Sequence, residues 1–226
     1  MPESTSRRRF CLASAALGLT ALARPVGGLA ASMSVAASAP LVVPPSAPLA
    51  LPPLPTPVGA PTPLTVAKAG LQRLGARIPH GDVVGVADYG LPSSQPRLHL
   101  VDIASGRTTT VLVAHGRGSD PTRSGWLHQF SNALGSDCTS EGAFLTATDY
   151  VGEHGRSIRL IGLDPSNDNA DSRGIVVHQA PYVGPAILKA HGVLGRSEGC
   201  FAVSPADMPQ MLQRLGPGRL LISTKL

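Results

Sequence analysis

A cysteine in a glycine-bearing turn is the strongest sign of chemistry in this sequence. Cys200 ends the segment GRSEGC at residues 195–200 and is followed by apolar residues at 201–203. A thiol attacks as its thiolate, so a nucleophilic cysteine needs a lowered pKa and room for a carbonyl group. Gly199 carries no side chain to block a substrate, backbone N–H groups of the turn offer an oxyanion hole, and Arg196 adds positive charge. We therefore predict a cysteine nucleophile, and the alternative is a buried structural cysteine beside a turn.

A cysteine nucleophile needs a base, and the sequence contains seven histidines. His178 ends the apolar run at 174–177, where a strand can hold an imidazole at the end of a sheet, and we predict it to be the base. His191 is expected on a loop that leads to Cys200, and His99 on the solvent face of a strand. The histidines of turn-rich segments are expected at the surface: His80, His128 and His154.

These motifs resemble the signature of bacterial L,D-transpeptidases. IVVH at 175–178 followed by GRSEGC is similar to the His and Ser-x-Gly-Cys pattern of the murein L,D-transpeptidase catalytic domain subgroup. Further segments in the same order extend the resemblance over roughly residues 80–204: VAHG at 113–116, FSN at 130–132, SEGAF at 140–144, GRSIRL at 155–160 and NDNA at 167–170. Glu198 and Phe201 depart from the subgroup, which usually has an aromatic residue and a proline there. Glu198 would either raise the pKa of the thiol or bind an amine.

The resemblance implies a mechanism. Cys200, activated by His178, would attack the carbonyl between the third residue of a peptidoglycan stem peptide and its terminal D-alanine, and a thioester would form. An amine of a second stem would then take the acyl group. Ser197 and Gly199 match positions that support the oxyanion, and Ser197 would also hydrogen-bond the imidazole or the substrate. No cofactor or metal is implied.

Further residues near the two motifs have roles assigned by their position. Arg196 and Tyr182 are candidate substrate-binding residues, with packing as the alternative for Tyr182. Asn169 is expected to fix a turn, and Arg173 to be solvated or paired with a carboxylate. His115 matches a subgroup position to which the sequence assigns no role. Cys138 is expected to be a non-catalytic thiol on a loop.

Three other functions compete with transpeptidation. If water resolves the thioester, the same Cys–His pair makes an L,D-carboxypeptidase or an amidase. If the cysteine is only structural, the chain is a catalytically silent wall-binding module. A zinc hydrolase is less favoured, because no H-x-x-x-H or H-x-H spacing places ligands on one element.

The elements that must position these residues are mostly strands. Runs rich in Val, Leu and Thr predict strands at 82–87, 98–103, 109–114, 143–148, 157–163, 174–178 and 220–223. One helix is predicted after a Thr65 cap and before Gly75, and a second begins at 205–207 and stops at 216–218. The predicted fold is mostly β. The resemblance specifies it further as a small L,D-transpeptidase-like β-sandwich or barrel with one or two peripheral helices.

The N-terminal part differs in composition from the rest. Residues 1–23, with SRRRF before an uncharged stretch, resemble a twin-arginine signal peptide, and a general secretory signal is the alternative. Residues 24–64 are rich in proline and alanine and predict a linker, and residues 65–226 form the predicted catalytic domain. We therefore expect an exported protein, periplasmic or associated with the cell wall.

The net charge argues against nucleic acid as a partner. The chain carries +5, but residues 1–24 hold four arginines against one glutamate and residues 25–67 hold no charge. The predicted domain is thus nearly neutral, and peptidoglycan stem peptides are the expected partner. No apolar run has the eighteen or so residues that a membrane span needs, so the chain is not expected to be integral to a membrane. The sequence leaves the oligomeric state open.

Overall fold

The centre of this molecule is a group of strands that carry apolar side chains on both faces. The computed structural model describes residues 59–226, so the predicted signal peptide and most of the predicted linker lie outside the described residues. The strands are β1 (Val83–Asp88), β2 (Leu98–Asp102), β3 (Thr108–Val111), β4 (Gly142–Gly152), β5 (Gly155–Gly162), β6 (Val176–Gln179), β7 (Phe201–Val203) and β8 (Leu220–Thr224). The helices are α1 (Pro63–Leu74), α2 (Pro185–His191) and α3 (Met208–Arg214).

The alternation of side chains along the central strands creates two cores. In β8, Leu221 packs into a large cluster that includes Phe144 and Phe201, whereas Leu220 and Ile222 point to the opposite face. Successive residues of a strand point to opposite faces of a sheet, so each central strand contributes to both clusters. Helix α1 covers the second face, and it is fixed there by Ala67 and Leu74.

The N-terminal end of α1 differs from the prediction. Thr62, not Thr65, is the N-cap residue, and its hydroxyl accepts the N–H of Thr65 at 3.2 Å. Thr65 occupies the third helical position and returns a bond to the N–H of Thr62 at 2.8 Å, which completes a capping box. The helix therefore begins at Pro63, before the predicted start of the domain, and it ends before Gly75 as predicted.

The eight strands of the described residues form one mixed sheet in the order β3-β2-β1-β8-β4-β5-β6-β7. Strand β8 lies in the middle, parallel to β1 and antiparallel to β4. The segment after β3 returns to the other edge, where Val113 bridges Val203 and the N–H of Ala114 donates to Ala202 O at 2.9 Å. The two edges are thereby joined, and the mostly-β, barrel-like prediction is confirmed.

The sequence analysis missed two elements near the cleft. The apolar residues after Cys200 form the short strand β7, and the segment at 185–191 forms α2, a third helix that places His191 at a helix end and not on a loop. Among the described residues, no helix has the length and apolar character needed to cross a membrane.

Candidate functional site

Parallel pairing of β6 and β7 brings Cys200 and His178 to one cleft. Val177 pairs with Phe201 and His178 with Ala202, so Cys200, which precedes β7, lies beside Val176 at the start of β6, two residues before His178. Cys200 and His178 both line a cleft of about 510 Å³. The structure therefore brings together the predicted nucleophile and the predicted base.

The thiol of Cys200 is partly buried and is held in its protonated form. Its Sγ donates to the carbonyl oxygen of Gly174 at 3.5 Å. Burial raises the pKa of Cys200, and the charge of Glu198 adds to this, while a hydrogen bond from the backbone of Val176 and the charge of Arg173 act in the opposite direction. The expectation that Arg196 supports a lowered pKa is therefore wrong for the resting protein, whereas the alternative that Glu198 raises the pKa of the thiol agrees with the structure. A base must therefore remove the thiol proton.

His178 is suited to accept that proton. The ring is buried, and its Nδ1 lies 2.9 Å from the carbonyl oxygen of Gln179. A carbonyl can only accept, so Nδ1 carries the hydrogen and Nε2 has a free lone pair. Burial lowers the pKa of His178 and the charge of His154 lowers it further, against the opposing effect of the bond to Gln179. His178 is thus a neutral imidazole, although in the resting structure the thiol bonds to Gly174.

Ser197 and Gly199 shape the turn that carries Cys200. The buried Ser197 hydroxyl accepts the Gly199 N–H at 3.2 Å and donates to the carbonyl oxygen of Cys200 at 2.7 Å. It bonds to the backbone of the turn and not to the imidazole of His178. Gly199 has φ +116°, and a Cβ there would lie 2.6 Å from the carbonyl oxygen of Cys138. Glycine is therefore required by packing as well as by access to the substrate.

A buried network of charged groups lies behind this turn. The guanidinium of Arg97, fully buried, contacts His115 Nδ1 at 2.7 Å, and His115 Nε2 contacts Asp120 Oδ2 at 3.3 Å. Arginine only donates, so His115 Nδ1 accepts, and Nε2 donates its hydrogen to the carboxylate. Burial lowers the pKa of His115 to about 4, and the charge of Arg97 contributes. His115 is thus a neutral bridge between a buried cation and a buried anion.

The network is attached to the turn by several hydrogen bonds. The N–H of Ser197 donates to His115 O at 3.0 Å, and the N–H of Arg117 donates to Ser197 O at 2.8 Å. The guanidinium of Arg196 donates to the carbonyl oxygen of Asp120. The predicted substrate-binding Arg196 does line the cleft, but it also ties the turn to Asp120.

Arg173 was assigned a role that the structure does not support. It is partly buried, and within the described residues it forms no ion pair with a carboxylate. Its guanidinium donates to Ser131 O at 2.9 Å, Ser140 Oγ at 2.6 Å and Cys138 O at 2.5 Å. It lines the cleft, and its charge lowers the pKa of Cys200. The expected turn-fixing role of Asn169 agrees with its bond from Nδ2 to Asn132 O at 3.0 Å.

Tyr182 lines the cleft and also packs closely against the backbone at Gly195. A Cβ on Gly195 would lie 2.5 Å from the Cβ of Tyr182, so the two backbones approach closely. Burial raises the pKa of Tyr182 to about 12, and the neighbouring Cys200 and Glu198 contribute to this. The phenol is therefore a neutral hydrogen-bonding group at the wall of the cleft.

The sequence reasoning missed His154. Its side chain is exposed, as predicted, but its ring stacks on that of His178 with centroids 4.3 Å apart and an interplanar angle of 26°. The other histidines expected at the surface, His80 and His128, are exposed, whereas His99 is partly buried and its Nδ1 lies 3.0 Å from Thr110 Oγ1. No local signal in the sequence separated His154 from these, because only the β4–β5 hairpin brings it to the cleft.

The second described cysteine, Cys138, does not line the cleft, although its carbonyl oxygen accepts from Arg173 and lies close to Gly199. Cys138 is buried, and neither Cys138 nor Cys200 forms a disulfide within residues 59–226. Among the same residues, no group of three His, Cys, Asp or Glu side chains has an arrangement that could hold a metal ion. The arrangement can support proton transfer between a thiol and an imidazole, and nucleophilic attack on a bound carbonyl.

Comparison with known proteins identifies relatives of the chain. Residues 61–223 match the sequence model of a family described as the L,D-transpeptidase catalytic domain. The similar solved structures include an L,D-transpeptidase from Mycobacterium smegmatis (16% identity, TM-score 0.39, covering 63% of this chain and 58% of the other). They also include an L,D-transpeptidase from Mycobacterium tuberculosis H37Rv (18%, 0.40, 63% and 57%) and L,D-transpeptidase 3 from Mycobacterium tuberculosis in complex with a faropenem-derived adduct (18%, 0.40, 64% and 60%). The chain thus spans less than two thirds of the length of these structures. No curated protein matches it.

Proposed function

Because the chain belongs to the L,D-transpeptidase catalytic domain family, we propose that it is a cysteine-dependent acyltransferase acting on peptidoglycan stem peptides. The observation that carries the proposal is the pairing of a protonated Cys200 thiol with a neutral His178 in one cleft. When a bound stem peptide displaces the hydrogen bond between Cys200 Sγ and Gly174 O, His178 Nε2 would become the acceptor of the thiol proton.

The first half of the reaction forms the thioester. His178 Nε2 takes the proton of Cys200 as Sγ attacks the carbonyl carbon before the terminal D-alanine. The tetrahedral intermediate collapses by breaking the C–N bond, and His178 returns the proton to the nitrogen of the departing D-alanine. The raised pKa of the thiol favours proton transfer in the same step as attack.

The second half transfers the acyl group. An amine of another stem attacks the thioester carbon, His178 takes a proton from that nitrogen, and Cys200 leaves and is reprotonated. Glu198 lies at the cleft, 70% exposed and 3.1 Å from Arg117, where its carboxylate is available to an incoming ammonium group. This negative charge favours an amine as acceptor over water.

Four further residues complete the proposed site. Ser197 and Gly199 hold the turn in the shape that presents its backbone N–H groups to the oxyanion. Arg196 and Tyr182 contact the stem peptide at the wall of the cleft. No cofactor takes part, because thiol acyl transfer needs none.

We further propose that the protein is exported and acts in the periplasm or at the cell wall. The support is the arginine-containing N-terminal segment together with the family, whose substrate lies outside the cytoplasmic membrane. The sequence segment itself lies outside the described residues.

The test is to incubate the protein with disaccharide tetrapeptide and to follow products by mass spectrometry. We expect a covalent adduct on Cys200 and a cross-linked dimer, and both should be lost in Cys200→Ala. Cys138→Ala is the matched control, because it removes the other described thiol and should retain both products. Unchanged products in Cys200→Ala would contradict the proposal. An adduct followed only by hydrolysis would replace the transpeptidase by an L,D-carboxypeptidase.

A further inference from the structure

The imidazole of His178 is held from two directions. Its edge is fixed by the bond from Nδ1 to Gln179 O at 2.9 Å, and its face is covered by the ring of His154 at a centroid distance of 4.3 Å. Rotation about χ2 would break the first contact and separate the stacked rings. The proposed base therefore has one preferred ring plane.

His154 comes from the tip of the β4–β5 hairpin. Gly152 pairs with Gly155, and Glu153 and His154 form the two-residue turn between them. The hairpin rests against β6, because a Cβ on Gly155 would lie 2.9 Å from Nε2 of Gln179, the residue after His178. The backbone of the tip thus sets the position of the His154 ring over His178.

We propose that His154 is a positioning residue that fixes the plane of the His178 ring and, when protonated, keeps His178 in its neutral, proton-accepting form. This inference rests on the proposed role of His178 as the base. Both effects act through His178, and His154 itself takes no proton from the substrate.

The electrostatic part follows from the proximity of two imidazoles. Burial lowers the pKa of His178, and the charge of His154 lowers it further. A second positive charge at stacking distance makes the doubly protonated pair unfavourable, so His178 stays neutral to lower pH than it would alone. The proton-accepting form then persists on the acid side of neutrality.

Other titratable groups line the same cleft as His178. These are Arg117, Glu153, Arg173, Arg196 and Glu198, with the thiol of Cys200 and the phenols of Tyr150 and Tyr182. Substitution of His154 leaves all of them in place. Differences between variants at this one position therefore report on the His154 ring and its charge.

Two substitutions separate the ring from its charge. His154→Phe keeps an aromatic ring over His178 but removes the charge, whereas His154→Ala removes both and exposes the His178 ring to water. His191→Ala is the matched control, since His191 is exposed at the end of α2 and does not line the cleft. Thermal unfolding of each variant verifies that it is folded.

The primary measurement is an NMR titration of His178 in the substrate-free protein. We expect its pKa to rise by about half a unit in His154→Phe and by about one unit in His154→Ala, and to stay unchanged in His191→Ala. The acid limb of the kcat/KM profile should move to higher pH by the same amounts. At the pH optimum, kcat should fall about tenfold in His154→Ala and less than threefold in His154→Phe, because only the first loses the stacked ring.

Equal pKa values of His178 in the wild type and in His154→Phe would overturn the inference, as would equal kcat values in the two His154 variants. The titration needs no substrate. The two outcomes can therefore be told apart. If the protein forms no thioester, the proposed function is contradicted. If the pKa of His178 still shifts in the His154 variants of that protein, the electrostatic part of the inference holds.

Discussion

The two sides of the cleft differ in what holds them. On one side, the turn of Cys200 is tied to buried polar groups: the Ser197 hydroxyl, the carbonyl oxygen of His115 and, through Arg196, the backbone of Asp120. On the other side, the tip that carries His154 is exposed, and Arg156 and Asp149 form a solvent-facing ion pair at 2.6 Å in its hairpin.

The two sides therefore differ in how much their polar residues contribute to the stability of the fold. Buried charged groups are expensive unless each is paired and hydrogen-bonded, so the side of Cys200 has one permitted arrangement. An exposed ion pair contributes little, so residues of the hairpin can change without loss of the fold. The position of the nucleophile is thus coupled to global stability, whereas the exposed hairpin tip that carries His154 is not.

The largest expected effect is on the buried side. Asp120→Asn removes a negative charge close to Arg97, and in either orientation its amide group faces an N–H that already donates: that of Ser124 at one oxygen, or those of Gly125 and His115 at the other. We expect the free energy of unfolding to fall by about 4 kcal/mol in urea titrations. A loss of less than about 1 kcal/mol would mean that the network does not support this side.

A pH dependence of stability should come from the same network. The folded protein keeps His115 neutral down to about pH 4, while the unfolded chain takes up that proton near pH 6.5, so lowering the pH favours unfolding. The free energy of unfolding should decrease by up to about 3 kcal/mol between these two pH values and stop responding to this group below them.

The control for this pH effect is His115→Gln, which cannot titrate. The free energy of unfolding of this variant should have a flatter pH profile over the same window, whatever its absolute value. An equally steep profile would show that another group is responsible.

A smaller effect is expected from the hydroxyl that shapes the turn. Ser197→Ala leaves the Gly199 N–H and the Cys200 carbonyl without their present partner. The free energy of unfolding should fall by about 1 kcal/mol, and kcat/KM by about tenfold, because the thiol is then less well placed. Wild-type kcat/KM in this variant would remove Ser197 from the proposed site.

The smallest effect belongs to the exposed hairpin. Asp149→Ala breaks the ion pair with Arg156, and we expect no measurable change in the urea midpoint or in the pKa of His178. A destabilisation as large as that of Ser197→Ala would erase the difference between the two sides.

The features that were predicted best from the sequence are those that depend on a local pattern of residues. Strands such as β1 and β8 follow from runs of Val and Leu, and two short motifs singled out Cys200 and His178, which the structure places in one cleft. The partners of Arg97 and Arg173 were missed, because their hydrogen bonds join residues distant in sequence and no local pattern encodes them. Glu198 was expected as one group that could raise the pKa of Cys200, but the larger contribution of burial was missed, since burial is a property of the folded chain.

The middle position of β8 has a consequence for biosynthesis. The strands β1 and β4, which flank it, are made long before it, yet neither can complete its hydrogen bonds until residues 220–224 have left the ribosome. Completion of the sheet therefore waits for β8, and a nascent chain arrested before residue 220 leaves the facing edges of β1 and β4 unpaired and exposed to chaperones.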